Sequence, residues 1–288
     1  MRSLKNQSRK IDEVIIGDDM STDNTVSLVR DFIKENHLEN WKLIENKENK
    51  GWKVNFVDSF RLATGDIIFP CDQDDIWHLD KIEKMSSVME NNDEILLLAS
   101  EVTPFCEEIG KNSKLSNKKD NTTIYRASFK KNFFYVRRPG CVYCFKNKML
   151  RYFDNYWDKD YAHDAFLWRT AAMMDGLFFL NESTIDYRRH GGTATGREKK
   201  TIQRKIKNMK YDRYVLEVAN EFILKEKVSN KDEKIKVINH YMQWCDKRIE
   251  LLVSRKPYKW FLLIQYRDCF WSYKTMLADL LMVLNIIS

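Results

Sequence analysis

The sequence is short of the residues that bend and interrupt chains, with nine glycines and four prolines in 288 residues. That scarcity argues against a loop-rich all-β protein and for long helices between strands. No apolar run reaches the roughly 20 residues a membrane-spanning helix needs. The best candidate, Met276 to Ile287, is short and is broken by Asp279 and Asn285. There is no glycine-rich phosphate loop, which disfavours a nucleotidyltransferase. The six cysteines (Cys71, Cys106, Cys141, Cys144, Cys245 and Cys269) are scattered, and the single C-x-x-C at Cys141–Cys144 lacks a second pair, so zinc is not expected. No secretory signal opens the chain, so the expectation is reduced thiols in a cytoplasmic protein.

Hydrophobic residues make up 43% and aromatics 13%, enough for a sizeable core. The formal charge of +7 is uneven, with lysines and arginines crowding Arg197 to Arg213. A basic surface can meet nucleic acid, anionic lipid or phosphorylated substrates, and charge alone does not choose among them.

Strand and helix alternate over the first two-thirds. Glu13 to Gly17 reads as a buried parallel strand running into Asp18-Asp19. A helix follows with Val26, Val29, Phe32 and Ile33 on one face. Trp41 to Glu45 is a second strand, Val54 to Ala63 a helix stopped by Gly65, and Ile67 to Phe69 a third strand leading into Cys71-Asp72-Gln73-Asp74-Asp75. A helix with Leu79, Ile82, Met85 and Met89 at helical spacing precedes a strand over Glu94 to Ala99. This order implies an α/β fold with a mostly parallel sheet covered on both faces. Residues 103–130 read as a long polar loop, Gly140 to Phe145 as a strand, Ala165 to Met174 as a buried helix and Leu177 to Leu180 as a strand. After about residue 198 only helices are expected, giving domains 1–197 and 198–288.

In an open parallel sheet, ligands bind where the carboxyl ends of the strands meet solvent. Asp18-Asp19 and Asp72 to Asp75 both sit at such ends. Carboxylates crowded at one edge repel unless a cation joins them, and hard oxygen ligands suit Mg²⁺ or Mn²⁺ together with substrate phosphates. The alternative is a solvated strand-end loop, where aspartate is common.

Together the segments resemble the family 2 glycosyltransferases, over about residues 1–200. Asp18-Asp19-Met20-Ser21-Thr22-Asp23-Asn24-Thr25 is similar to DDGSTDNT, and Asn49-Lys50-Gly51 with Asn55 to N-x-G-x-x-x-N. Gly65 to Trp77 is close to the GDyIfFcDQDDiW signature of the bacterial rhamnosyltransferase-like branch. His163-Asp164 and Tyr187-Arg188-Arg189-His190-Gly191-Gly192 resemble its HDxxL and YRxHxxN segments.

That resemblance implies a GT-A fold, Rossmann-like, with a C-terminal helical extension, and an inverting transfer of a sugar from a nucleotide-diphosphate donor (dTDP-rhamnose or a UDP-sugar). The acceptor would be a glycan or lipid-linked molecule in bacterial surface-polysaccharide synthesis. Asp72 and Asp74 would hold Mn²⁺ or Mg²⁺, with His190 near the metal or diphosphate. Asp18 or Asp19 would touch the nucleotide, with Gly51, Asn55 and Asp72 also on the donor side. Asp164 would be the general base, or the N-cap of the helix that follows it. Asp75, Trp77 and His163 would lie toward the acceptor, Trp77 alternatively closing the core.

The chain also departs from the family pattern. Members begin with a strand that lies between the strands ending here at Asp19 and Asp72, and Met1 to Gln7 matches only the end of the helix after it. Its absence would leave two inner strands exposing unpaired backbone or re-pairing with each other. Two expectations follow: an upstream start, or a truncated chain acting at most as a binding module. Met20 stands where glycine is usual. In the tail, Ile202, Ile206 and Met209 line one side of a basic helix that would rest on the anionic inner face of a membrane or pack on the main domain. Nucleic acid is not an expected partner, because the tail's aromatics fall at core spacing rather than between the basic residues.

Overall fold

Val14–Asp18 (β1) and Trp41–Glu45 (β2) pair in parallel, from Val14 opposite Trp41 to Asp18 opposite Glu45. Parallel neighbours need a crossover, supplied by the amphipathic helix α2 (Thr25–Glu35), which follows the short α1 (Arg2–Lys5). This is a computed structural model, and it describes residues 1–105, 123–188 and 201–286. The chain divides into two compact units, Met1–Thr193 and Ala194–Ser288.

The first unit continues with α3 (Trp52–Arg61), β3 (Ile67–Ile68), β4 (Ile76–Trp77), α4 (Lys81–Glu90), β5 (Leu97–Phe105), β6 (Ile124–Arg126), α5 (Phe129–Asn132), β7 (Tyr143–Lys146), α6 (Leu150–Tyr156), α7 (His163–Met173) and β8 (Leu177–Arg188). Its larger sheet has the order β3-β7-β5-β8-β4, with β6 also on β8. β5 and β8 are parallel, and β7 runs antiparallel to both β3 and β5, so β3, β5 and β8 share one direction. The parallel sheet expected from the alternation is present in that shared direction and in β1–β2. Beside these, β7, β6 and β4 run the other way, an order that hydrophobic periodicity does not reveal.

Several boundaries differ from expectation. The strand over Glu94 to Ala99 begins at Leu97 and runs on to Phe105, and β6 and α5 occupy part of the presumed loop at 103–130. Gly140–Val142 is a 3-10 turn rather than strand. β8 is longer than its apolar start suggested, because its polar second half still pairs with β4 and β5. Leu79 is exposed ahead of α4, whose buried face is Ile82, Met85 and Met89.

β1 and β3 each pair on one side only, and not with each other. Glu13, just before β1, links the two regions: its Oε1 accepts hydrogen bonds from the Thr64 hydroxyl (2.9 Å) and the Gly65 amide (3.1 Å) ahead of β3. Gln7 anchors the N-terminal segment to α4. Its amide nitrogen donates to the His78 carbonyl at 2.8 Å, and its Oε1 accepts from the Ile82 amide at 3.0 Å, one of the orphan donors of a helix start.

The second unit holds α8 (Ile202–Lys225), α9 (Lys231–Ser254), a 3-10 helix Pro257–Cys269, and α10 (Tyr273–Val283). Its core combines Leu216, Phe222 and Ile223 of α8 with Ile238, Trp244 and Leu251 of α9. Asp279 of α10 is fully buried between Arg248 and Lys205, with Nη2–Oδ1 at 3.1 Å and Nζ–Oδ1 at 2.6 Å. Arg213 pairs with Glu217 and Asp246. Two of the cations singled out in the tail therefore hold this unit together; Arg197, Lys199 and Lys200 lie outside the described residues. No described helix is long and apolar enough to cross a membrane.

Candidate active site

The turns after β1 and β2 meet around Asp19. Its Oδ1 accepts from the Lys50 amide at 2.8 Å and the Asn46 side chain at 3.1 Å, and its Oδ2 from the Gly51 amide at 2.7 Å. Gly51 has φ +82°, a conformation open to glycine, and so turns the chain into α3. Asn55 donates to the Gly17 carbonyl at 2.8 Å and accepts from Asn46 at 2.9 Å. Asp18 is buried and accepts from the Ser21 amide at 3.0 Å. Met20 adopts φ +65°, the left-handed region, which explains why glycine suits that position. Asp18, Asp19, Gly51 and Asn55 are thus one bonded group that shapes the end of β1.

The second group forms after β3. Asp72 is half-buried, and its carboxyl is raised to about 6 by that burial and then by the charges of Asp75, Asp74 and Asp164. Asp164, 92 positions further along the sequence, is therefore close enough to act on Asp72. Carboxyl oxygens of Asp72 and Asp75 and the Cys141 thiol lie within 4.8 Å of one another. Asp75 is buried against that thiol, and burial followed by Asp75 pushes the thiol far up.

Asp164 sits in the first turn of α7, whose N-cap is Ala162. It is not the cap, and its Oδ1 accepts from the next amide, Ala165, at 2.7 Å. A carboxylate here meets the positive end of the helix dipole.

Helix α3 joins the two groups. It starts at Gly51, held by Asp19, and its Trp52 ring lies 5.4 Å from His163, beside Asp164. Lys53 donates to the Asp160 carbonyl at 2.6 Å.

His163 is not open toward an acceptor. It is 5% exposed, stacked on Phe56 at 4.3 Å and edge-on to Phe60, and burial pulls its pKa down to about 4. Trp77 likewise closes the core, with Phe69 at 6.0 Å. His163 was an acceptor-side expectation and Trp77 either that or a core residue; Phe56 and Phe60 of α3 cover His163, and Phe69, just after β3, lies against Trp77. Asp75 is also buried. His190 lies outside the described residues.

Sequence reasoning missed Lys81. It is completely buried beneath the acidic loop, 4.4 Å over the Trp77 ring, and its ammonium donates to the Cys141 carbonyl at 2.7 Å. Burial lowers its pKa to about 8 against the pull of Cys71, Cys141, Cys144 and Asp75. A lysine one turn before Met85, on the core side of α4, was the available signal. Gly140 was missed too: it touches Asp164 where any side chain would collide.

A divalent cation suits the Asp72 surroundings. The carboxylates of Asp72 and Asp75 are hard oxygen donors, the Cys141 thiol beside them is held protonated by burial, and a positive charge would relieve the mutual repulsion that raises Asp72.

Strand ends rich in aspartate, faced by a helix that begins with another, on an α/β sheet of this order, make up a GT-A nucleotide-diphospho-sugar transferase architecture. The same fold appears in Staphylococcus aureus TarS residues 1–349 solved with UDP-GlcNAc (TM-score 0.59, 15% identity, 93% of this chain and 83% of that one). It also appears in the mannosyltransferase PcManGT of Pyrobaculum calidifontis solved with GDP-Man and Mn²⁺ (TM-score 0.54, 16% identity, 99% and 80%). The chain belongs to glycosyl transferase family 2, whose profile matches residues 1–156. Among curated relatives, it is 27% identical to the dTDP-rhamnosyl transferase RfbG of Shigella flexneri over 76% of this chain and 79% of that protein. It is 26% identical to an uncharacterized glycosyltransferase of Haemophilus influenzae over 75% and 69%.

Proposed function

We propose that this glycosyltransferase moves a sugar, with inversion, from a nucleotide-diphosphate donor to a hydroxyl of a glycan or lipid-linked acceptor in surface-polysaccharide assembly. The observation that carries it is that Asp72, after β3, feels the charges of Asp75, Asp74 and Asp164, with Gly140 packed against Asp164 and the adjoining Cys141 beside Asp72 and Asp75. The likeness to a dTDP-rhamnosyl transferase favours dTDP-rhamnose as donor, with UDP-sugars next. Residues 1–197 would carry the chemistry and 198–288 a helical extension, the protein working in the cytoplasm at the inner membrane surface.

Asp72 and Asp74, with His190, would hold Mn²⁺ or Mg²⁺, which when bound supplies positive charge to the departing diphosphate. Asp18, Asp19, Gly51 and Asn55 shape the nucleotide side. Asp164 accepts the acceptor's hydroxyl proton as that oxygen bonds to the anomeric carbon. The bond from that carbon to the donor phosphate breaks, and the nucleoside diphosphate leaves with its electron pair. Asp75 would keep the acidic loop closed toward the acceptor.

Asp164→Asn tests the assignment. Turnover of dTDP-rhamnose or UDP-sugars should fall by about 10²- to 10⁴-fold, the usual worth of a positioned base, with donor-induced thermal stabilisation in Mn²⁺ kept. Full turnover would remove Asp164 from its role. No stabilisation of the unaltered chain by any donor would favour a binding-module or inactive reading.

A further inference from the structure

A 3-10 helix turns every three residues, so positions three apart share a face. In Pro257–Cys269, two 3-10 stretches that meet at a kink at Tyr266, Leu263, Tyr266 and Cys269 point inward and are buried. The adjacent face shows water apolar side chains as well: Tyr258 is 63% exposed, Phe261 66%, and Ile264 is exposed after them, with Arg267 next. Beyond the helix, Trp271 and Tyr273 (61% and 76% exposed) and Leu277 extend the same character into α10. One exposed apolar side chain is ordinary, but a run of this length marks a contact surface.

Its charge names the partner. Arg255, Lys256, Arg267 and Lys274 are exposed in this stretch. The stretch from 255 to 286 contains two acids: Asp279 is buried in its ion group, and Asp268 is bonded to His240 at 3.1 Å. Protein interfaces take aromatics and arginine but are depleted of lysine, whereas a bilayer interface takes aromatic rings at the headgroup level and lysines as well as arginines against anionic lipid. We infer that the surface formed by the 3-10 helix and the start of α10 lies on a bilayer containing anionic lipid. This goes beyond the transfer reading, and it gives membrane contact a face other than the basic side of α8.

The test is co-sedimentation of the full chain with vesicles of phosphatidylcholine, alone or mixed equally with phosphatidylglycerol, without donor or acceptor, so its result is independent of turnover. The mixed vesicles should bind about tenfold or more tightly than neutral ones, since each cation near an anionic surface is worth roughly fivefold. Phe261→Glu with Ile264→Glu should abolish binding, and Lys207→Glu with Lys210→Glu should leave it unchanged. Should the first variant not fold, quenching of tryptophan emission by brominated lipid provides the second reading, reduced by Trp271→Phe. Three results would each overturn the inference: no binding to mixed vesicles, loss of binding only in the α8 variant, or light scattering showing a dimer that Phe261→Glu dissolves, which would assign the face to a second copy.

Discussion

Gly140 and Asp164 touch so closely that a Cβ on Gly140 would stand 2.8 Å from the Cβ of Asp164. The 3-10 turn Gly140–Val142 thus forms a wall behind the first turn of α7, and its next residue, Cys141, carries the thiol beside Asp72 and the carbonyl held by Lys81. One short turn sets the position of Asp164 against that of Asp72.

Gly140→Ala should therefore shift Asp164 while leaving the core intact. Displacing a catalytic group by about 1 Å can cost on the order of 10²-fold. The expected outcome is a lowered kcat with KM for the donor and the melting temperature near those of the unaltered protein. An unchanged kcat would show that the wall does not set Asp164.

Asp72→Asn should separate stability from binding. The folded carboxyl titrates near 6 against an ordinary 3.8, so the native state holds the extra proton between those values and loses stability as pH rises through them. Above pH 6 the full cost remains, about 2–3 kcal/mol for a shift of this size. The variant should melt higher than the unaltered chain at pH 7 and little differently at pH 4, and Mn²⁺ with a nucleotide sugar should no longer stabilise it.

His163 works in the other direction. Its pKa near 4 in the fold and 6.5 ordinarily means the unfolded chain holds the extra proton between them, so stability rises with pH through that window. Among the described residues, its buried Nδ1 has no hydrogen-bond partner. Acidification from pH 6.5 to 4 should cost the unaltered chain on the order of 3 kcal/mol that His163→Phe does not lose, measured by urea unfolding at each pH. Parallel pH curves would rule the burial effect out.

In the second unit, Asp279→Ala leaves Arg248 buried without its counter-charge. Breaking such a group costs about 3–5 kcal/mol, whereas replacing the pair by apolar residues costs much less. Asp279→Leu with Arg248→Met should recover most of the loss seen for Asp279→Ala in denaturant melts.

Asp72, Asp74 and Asp75 were legible because an apolar run, Ile67-Ile68-Phe69, whose first two residues form β3, delivers them to a sheet edge. Asp164 was legible through its motif and its place at the head of an apolar helix. His163 was misplaced because a polar side chain in a motif looks available until its neighbours are known, and Phe56 and Phe60 come from another element. Lys81 was invisible for the same reason: its partner, the Cys141 carbonyl, is a backbone atom 60 positions away.

The sequence by itself determined the local elements, the aspartates at strand ends and the motif order that carries the family. Hydrophobic period shows which face of a segment is buried, and turn residues show where it stops. Only the tertiary structure decided that β7 inserts between β3 and β5, that the charge of Asp164 reaches Asp72, and that His163 lies under aromatic rings. Each of these depends on which distant surface a buried face meets, and a repeat of 2 or 3.6 residues carries no record of its partner.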